Sequence, residues 1–294
     1  MRALRALLSG IVDYAGLYPP AALDMGAAVR NYASYAASSD AWMLGRFVVP
    51  AARLADLHDA NALLANARPI LMRLTVVLGA DAAADIARVR EFNSAHGSEF
   101  AIDALEARLA TEDAIERVAA LVDGEFELFA EIPVDSDPEW LLAAIGRSGV
   151  SAKIRTGGVA PDAFPSARDV VRFVRRCIDA GVRFKATAGL HHPLRADYPL
   201  TYEPASLRGT MYGYLNVFLT AAFMANGLSD ADALQLLEER DPGSLTATDD
   251  SITWRRHTLS AEQLVRARVR LAVSFGSCSF REPVDELQAL SLVA

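Results

Sequence analysis

The chain has 294 residues, 52% of them hydrophobic and 22% charged, which is enough apolar content for a large core and too much for a disordered polymer. A formal net charge of −8 offers no basic face to nucleic acid, so no nucleic-acid partner is expected. Two cysteines, Cys177 and Cys278, exclude a disulfide scaffold at this length.

The first residues, Met1-Arg-Ala-Leu-Arg-Ala-Leu-Leu, begin like a signal peptide. Asp13 and Pro19-Pro20 interrupt them before a long apolar run develops, so residues 1–43 read as an N-terminal extension. From residue 44 a strand-then-helix rhythm sets in. Apolar or β-branched runs occur at 45–50, 71–78, 99–103, 126–132, 150–155 and 182–186, with alanine-rich helical segments between them. The clearest helix opens at the capping pattern Ser166-Ala-Arg-Asp169, presents Val170, Val174 and Ile178 on one face and closes at Gly181. Such βα units in succession, without hairpin signals, predict a parallel sheet. No Gly-x-Gly-x-x-Gly follows the first run, so the expected fold is a (β/α)8 TIM barrel in one domain spanning 1–294.

Residues 190–260 form a long insertion before the last strand. Within it Tyr212–Asn226 reads as a seventh strand running into its helix, and Ile252–Trp254 as part of a short hairpin. Ser260-Ala-Glu-Gln263 is a second capping box, and 271–280 supplies the eighth strand. The stretch between Arg208 and Asp230 is uncharged but carries Asn216, Thr220 and Asn226, which favours protein core over a membrane span. A cytoplasmic protein without membrane contact is expected, with a homodimer as the base-rate assembly.

Only two of the 29 basic residues are lysines, Lys153 and Lys185. Arginine is always protonated, whereas an ammonium can shed its proton and become a nucleophile. Both lysines lie toward the carboxyl ends of predicted strands, where barrel active sites are built. Alternation places Lys153 with Arg155, and Lys185 with Thr187, on one face of each strand. Two ammonium groups in one pocket lower each other's pKa, and bringing a lysine to neutrality costs roughly 4 kcal/mol. A Schiff-base enzyme has a use for that cost; otherwise a carboxylate such as Asp103 or Glu131 neutralises the lysines. Either carboxylate is also a candidate proton shuttle. Adjacent His191 and His192 lack zinc-site spacing and suit substrate contact, so no metal is expected. Cys278 near the predicted mouth has no histidine close in sequence and reads as an inert buried thiol, and Cys177 as packing.

These motifs resemble, in order along the chain, those of the deoxyribose-phosphate aldolase family and class I aldolase barrels more broadly. Lys153-Ile-Arg-Thr-Gly-Gly158 is similar to the family's Schiff-base strand, Lys-Thr-x-Thr-Gly-Phe. Phe184-Lys185-Ala-Thr-Ala-Gly189-Leu-His191 is similar to its second-lysine strand, Lys-x-x-Gly-Gly-Ile-Arg. Ile102-Asp103-Ala-Leu-Glu106 partly matches the strand of the proton-relay aspartate. Weaker likenesses involve Asp13 in the N-terminal motif, Glu131 in an Ile-Ile-Glu strand, and Gly276-Ser277-Cys-Ser279 in the phosphate loop. The sequence departs from the family at Ala188, His191 and Arg155, and in the length of 190–260.

The resemblance implies a metal- and cofactor-independent lyase acting on a small carbonyl substrate, phosphorylated or otherwise anionic. Lys153, Lys185 and Asp103 would be catalytic. Asp13, Glu106, Glu131, Arg155, Thr156, Gly157, Thr187, Gly189, His191, His192, Gly276, Ser277 and Ser279 would surround the substrate. Two other functions fit the same residues. One is a non-covalent isomerase or hydrolase whose Lys, Arg and His cluster binds a polyanion, with Glu131 or His191 as base. The other is a metabolite-binding barrel without catalysis.

Overall fold

The computed structural model describes residues 2–63 and 71–290. Eight parallel strands close into a barrel: β1 (Val12–Tyr14), β2 (Leu44–Pro50), β3 (Met72–Val77), β4 (Phe100–Arg108), β5 (Glu127–Glu131), β6 (Ser151–Arg155), β7 (Phe184–Thr187) and, last in the chain, β13 (Ala272–Ser277). Sequential neighbours pair around the ring, and β13 closes it between β7 and β1. The expected (β/α)8 barrel is therefore the fold.

The helices are α1 (Arg2–Leu8), α2 (Met25–Ala36), α3 (Leu54–Ala62), α4 (Ala82–His96), α5 (Glu112–Val122), α6 (Glu139–Arg147), α7 (Ala167–Ala180), α8 (Tyr214–Met224), α9 (Asp230–Leu237), α10 (Ala261–Arg270) and α11 (Arg281–Ala289). The Ser166 hydroxyl accepts from the Asp169 amide to start α7, whose Val170, Phe173, Val174 and Cys177 are buried. Gly181 ends that helix at φ +65°, in the left-handed region that costs glycine little. The Ser260–Gln263 capping box opens α10 as expected.

Two strands are not where the sequence places them. Residues 12–14, inside the expected N-terminal extension, are the first barrel strand. Only three residues long, β1 leaves almost no alternation to read. Tyr212–Asn226 adds no strand: it holds α8, every residue of which is buried. A helix that is apolar all round shows no 3.6-residue stripe, and short apolar runs of this kind fit either element. The helix is enclosed by α7, α9, α10 and β13.

The rest of the insertion is antiparallel. Strands β8 (Ala196–Pro199) and β9 (Arg208–Met211) form a hairpin beside the barrel mouth, and β10 (Leu245–Ala247), β11 (Ser251–Trp254) and β12 (His257–Ser260) form a small sheet leading into α10. Among the described residues no helix is long and apolar enough to cross a membrane.

Candidate active site

The register of the barrel levels its charged residues. Glu131 of β5 pairs with Lys153 of β6, and Lys153 pairs with Lys185 of β7, so the three project from one layer. Glu106 reaches the same layer from β4. One of its oxygens is 2.6 Å from Lys153 Nζ and the other 2.5 Å from Lys185 Nζ. Lys185 Nζ also lies 2.6 Å from Asp13 on β1, and Lys153 Nζ lies 2.7 Å from Glu131. The result is a chain of alternating charge, Asp13–Lys185–Glu106–Lys153–Glu131, across the inside of the barrel. Arg108 and Arg155, at 3.1 and 3.2 Å, extend it from Glu131 to the mouth.

Burial alone would raise the Glu106 pKa, but the two ammonium groups more than offset it and hold the carboxyl at about 2. Burial pushes Lys185 down, and Asp13 and Glu106 overcome it, so its pKa stands above the ordinary value. For Glu131 burial again opposes the charge, and Lys153 with Arg155 and Arg108 prevails, lowering the pKa. The expected confrontation of two bare ammonium groups is thus absent, because Glu106 stands between them.

A cavity of about 1210 Å³ opens at the carboxyl ends of the strands. Its floor and wall include Glu106, Glu131, Lys153, Arg155, Thr187, Gly189, His191 and Gly276 from the expected set. Lys153 is only 6% exposed yet lines this cavity, whereas Lys185 is wholly enclosed beneath it, its Nζ 5.2 Å from the Phe129 ring centre. Tyr18, Arg108 and Cys278 also line the cavity, and neither of the first two stands in a motif that marks it for chemistry. The Tyr18 hydroxyl is buried without a hydrogen-bond partner, and burial with the nearby Glu106 charge pushes its pKa up.

Several expected site residues do other work. Asp103 does not reach the lysines: its carboxylate is held by Arg46 and Arg73, both at 2.6 Å. Arg46 also pairs with Glu127, at the amino end of β5. The ladder between β3 and β4 shifts at Asp103, Leu74 pairing with Ile102 and Thr75 with Ala104, so Asp103 is the extra residue of a bulge. Thr156 donates to the carbonyls of Thr187 and Ala188, tying the loops after β6 and β7 together. Gly157 serves close packing, since a Cβ there would lie 2.5 Å from the Phe164 ring and 2.9 Å from Gly189 Cα.

The Ser277 hydroxyl accepts from the Ser279 amide, and the Ser279 hydroxyl accepts from the Glu282 amide in the first turn of α11. His192 turns away from the cavity, pairing with Glu286 at 2.8 Å and stacking on Tyr198; burial lowers its pKa.

His191 faces the cavity and meets Cys278. Its Nδ1 is 3.0 Å from Glu282, and the Cys278 sulfur is 4.0 Å from each ring nitrogen. The Tyr202 hydroxyl donates to Glu282 at 2.9 Å and lies 3.6 Å from the sulfur. Burial opposes charge on His191, but its contacts with Cys278 and Glu282 outweigh burial and push the pKa up to about 9. The sequence separates this pair by 87 positions, so no local spacing could have joined them.

The arrangement provides a lysine amine flanked by proton acceptors, two arginines at the mouth for an anionic group, and a thiol beside an imidazole. No protein-family model matches the chain, and comparison with curated proteins finds no match.

Proposed function

We infer that the barrel is a Schiff-base lyase of the class I aldolase type, in which Lys153 is the nucleophile and Glu106 the proton relay. The observation that carries this reading is the position of Lys153 on the cavity wall between two carboxylates at 2.6 and 2.7 Å. Lys153 gives up one proton, relayed by Glu106 or Glu131 toward the mouth, and its free amine attacks the carbonyl carbon of the substrate. The carbinolamine loses its hydroxyl as water, with a proton relayed back to that oxygen, and leaves an iminium. The iminium accepts the electron pair of the bond between the α and β carbons as the β-hydroxyl gives its proton to a carboxylate and becomes the carbonyl of the released fragment. The enamine left on Lys153 takes a proton back on its carbon, and hydrolysis of that iminium frees the amine.

Lys185 acts from beneath. Paired to Asp13 and Glu106, it keeps Glu106 oriented and charged in the resting site. Glu106 takes the role that the family resemblance gives to Asp103. Arg155 and Arg108 suit an anionic group on the substrate, because each presents a guanidinium at the mouth. Barrel enzymes place their chemistry at this face, which supports the choice of cavity.

A second reading has one observation in its favour: Lys153 is already engaged by two carboxylates, as a lysine of a binding network is. The cations would then hold a polyanionic substrate, with Glu131 or His191 as base.

The test is borohydride reduction in the presence of small aldehydes, ketones and their phosphates, followed by intact-mass measurement and peptide mapping. A stable adduct on Lys153, lost in Lys153→Arg, is expected. Absence of any adduct, with ligand binding partly retained in Lys153→Arg, would overturn the covalent reading and favour the polyanion site.

A further inference from the structure

The loop after β7, the end of β13 and the start of α11 converge on one wall of the cavity, several residues from the lysine layer along each strand. There Cys278, His191 and Glu282 stand in sequence: thiol, imidazole, carboxylate. We propose that Cys278 is a second nucleophile in this cavity, activated by His191 and oriented through Glu282, and that it takes the carbonyl carbon of an aldehyde.

The geometry supplies each part. An ionised Glu282 accepts from Nδ1–H of His191 at 3.0 Å, which orients the ring and supports the imidazolium that forms when Nε2 takes the thiol proton. The sulfur is 4.0 Å from that nitrogen and equally from Nδ1, a loose contact that must tighten onto Nε2 when substrate seats. Tyr202 holds the same Glu282 oxygen from the hairpin side at 2.9 Å, so the carboxylate is braced by two donors. Cys278 and His191 are both buried yet both line the cavity, which gives a small electrophile access while limiting water.

Addition to an aldehyde needs only a nucleophile and a proton donor. Thiolate sulfur forms a bond to the carbonyl carbon, the π pair of the carbonyl moves to oxygen, and the imidazolium proton passes to that oxygen. The product is a hemithioacetal with neutral His191, and the reverse step restores both partners. No leaving group, oxidant or reductant is required.

Cys177 is a control within the same chain. It is fully buried on the inner face of α7, where burial pushes its thiol well up, and it faces no acid–base partner among the described residues. The experiment is alkylation of the native protein with iodoacetamide at pH 7, read as mass added at each cysteine over time. Cys278 is expected to react about tenfold faster than an ordinary thiol, and Cys177 to stay unmodified. His191→Gln should slow Cys278 by about the same factor, and Glu282→Gln should slow it less.

Unmodified Cys177 in each variant reports that the protein is still folded. Propionaldehyde should protect Cys278 in the wild type, reversibly on dilution, and equally in Lys153→Arg. A Cys278 rate indifferent to His191→Gln, or modification only on unfolding together with Cys177, would overturn the proposal. Protection that vanishes in Lys153→Arg would also overturn it, by placing the aldehyde on the lysine. The thiol assignment does not depend on Schiff-base chemistry: loss of the borohydride adduct leaves the alkylation rates untouched.

Discussion

Glu106 bridges the two lysines of the chain, with one carboxylate oxygen 2.6 Å from Lys153 and the other 2.5 Å from Lys185. All three side chains are at least nine-tenths buried. A buried charge that loses its partner is strongly destabilising, although a well-packed apolar set of the same volume would serve the fold about as well. The bridge therefore constrains the site more than it strengthens the fold.

Glu106→Gln leaves two ammonium groups facing one another with a neutral amide between them. Its unfolding free energy is expected to fall by about 3–5 kcal/mol, and adduct formation at Lys153 to slow. Asp103→Asn weakens pairs with the part-exposed Arg46 and Arg73, for a loss of roughly 1 kcal/mol, and leaves the adduct intact. Urea titration and borohydride trapping of the two variants side by side check both. Equal loss of adduct in Asp103→Asn would restore the relay to Asp103.

The same bridge sets a pH window. Glu106 ionises at about 2 in the folded chain against an ordinary value of 4.5, so the unfolded chain binds more protons between these values. Its contribution, on the order of 3 kcal/mol, is fully present above about pH 4.5 and is lost as pH falls toward 2. Lys185, whose pKa is raised, contributes in the opposite sense: fully below its unfolded value, with loss as pH rises through its folded one. Urea midpoints measured from pH 6 down to pH 3 should fall, and Glu106→Gln should flatten that fall.

Tyr18 carries a buried hydroxyl with no partner while lining the cavity. An unsatisfied buried donor is a standing cost of about 1–3 kcal/mol, so Tyr18→Phe should melt at the wild-type temperature or above it. If that hydroxyl is reserved for substrate, borohydride trapping should slow in the same variant. A lower melting temperature with unchanged trapping would make Tyr18 a structural residue.

Arg155, joined to Glu131 at 3.2 Å and partly exposed, is the guanidinium best placed for an anionic substrate group. Arg155→Leu should weaken trapping of a carbonyl phosphate by about tenfold or more relative to its neutral counterpart, as expected for a charge-assisted hydrogen bond. An unchanged preference would move anion recognition to Arg108 or elsewhere.

The barrel was legible because each central strand carries its own local signal. The runs near 45–50, 71–78, 126–132, 150–155 and 182–186 all became strands close to those bounds. The lysines were legible for the same reason: strand ends and alternation are local properties, and the register does bring Lys153 and Lys185 level. Of the strand running into a helix expected at Tyr212–Asn226 only the helix forms: an apolar run without period has no local signature, and α8 is surrounded by packing on every side.

What the sequence by itself determined was the repeating βα unit, the helix caps at Ser166 and Ser260, and two lysines aimed toward one end of a barrel. Only the tertiary structure decided which carboxylate meets them. A one-residue bulge at Asp103 breaks the alternation of β4, so the face of Asp103 does not predict the face of Glu106. Closure of the barrel brought Asp13 of β1 to Lys185, and Cys278 to His191, across 172 and 87 positions. Contacts at such separations arise from how strands and loops meet in space, which no local spacing of residues encodes.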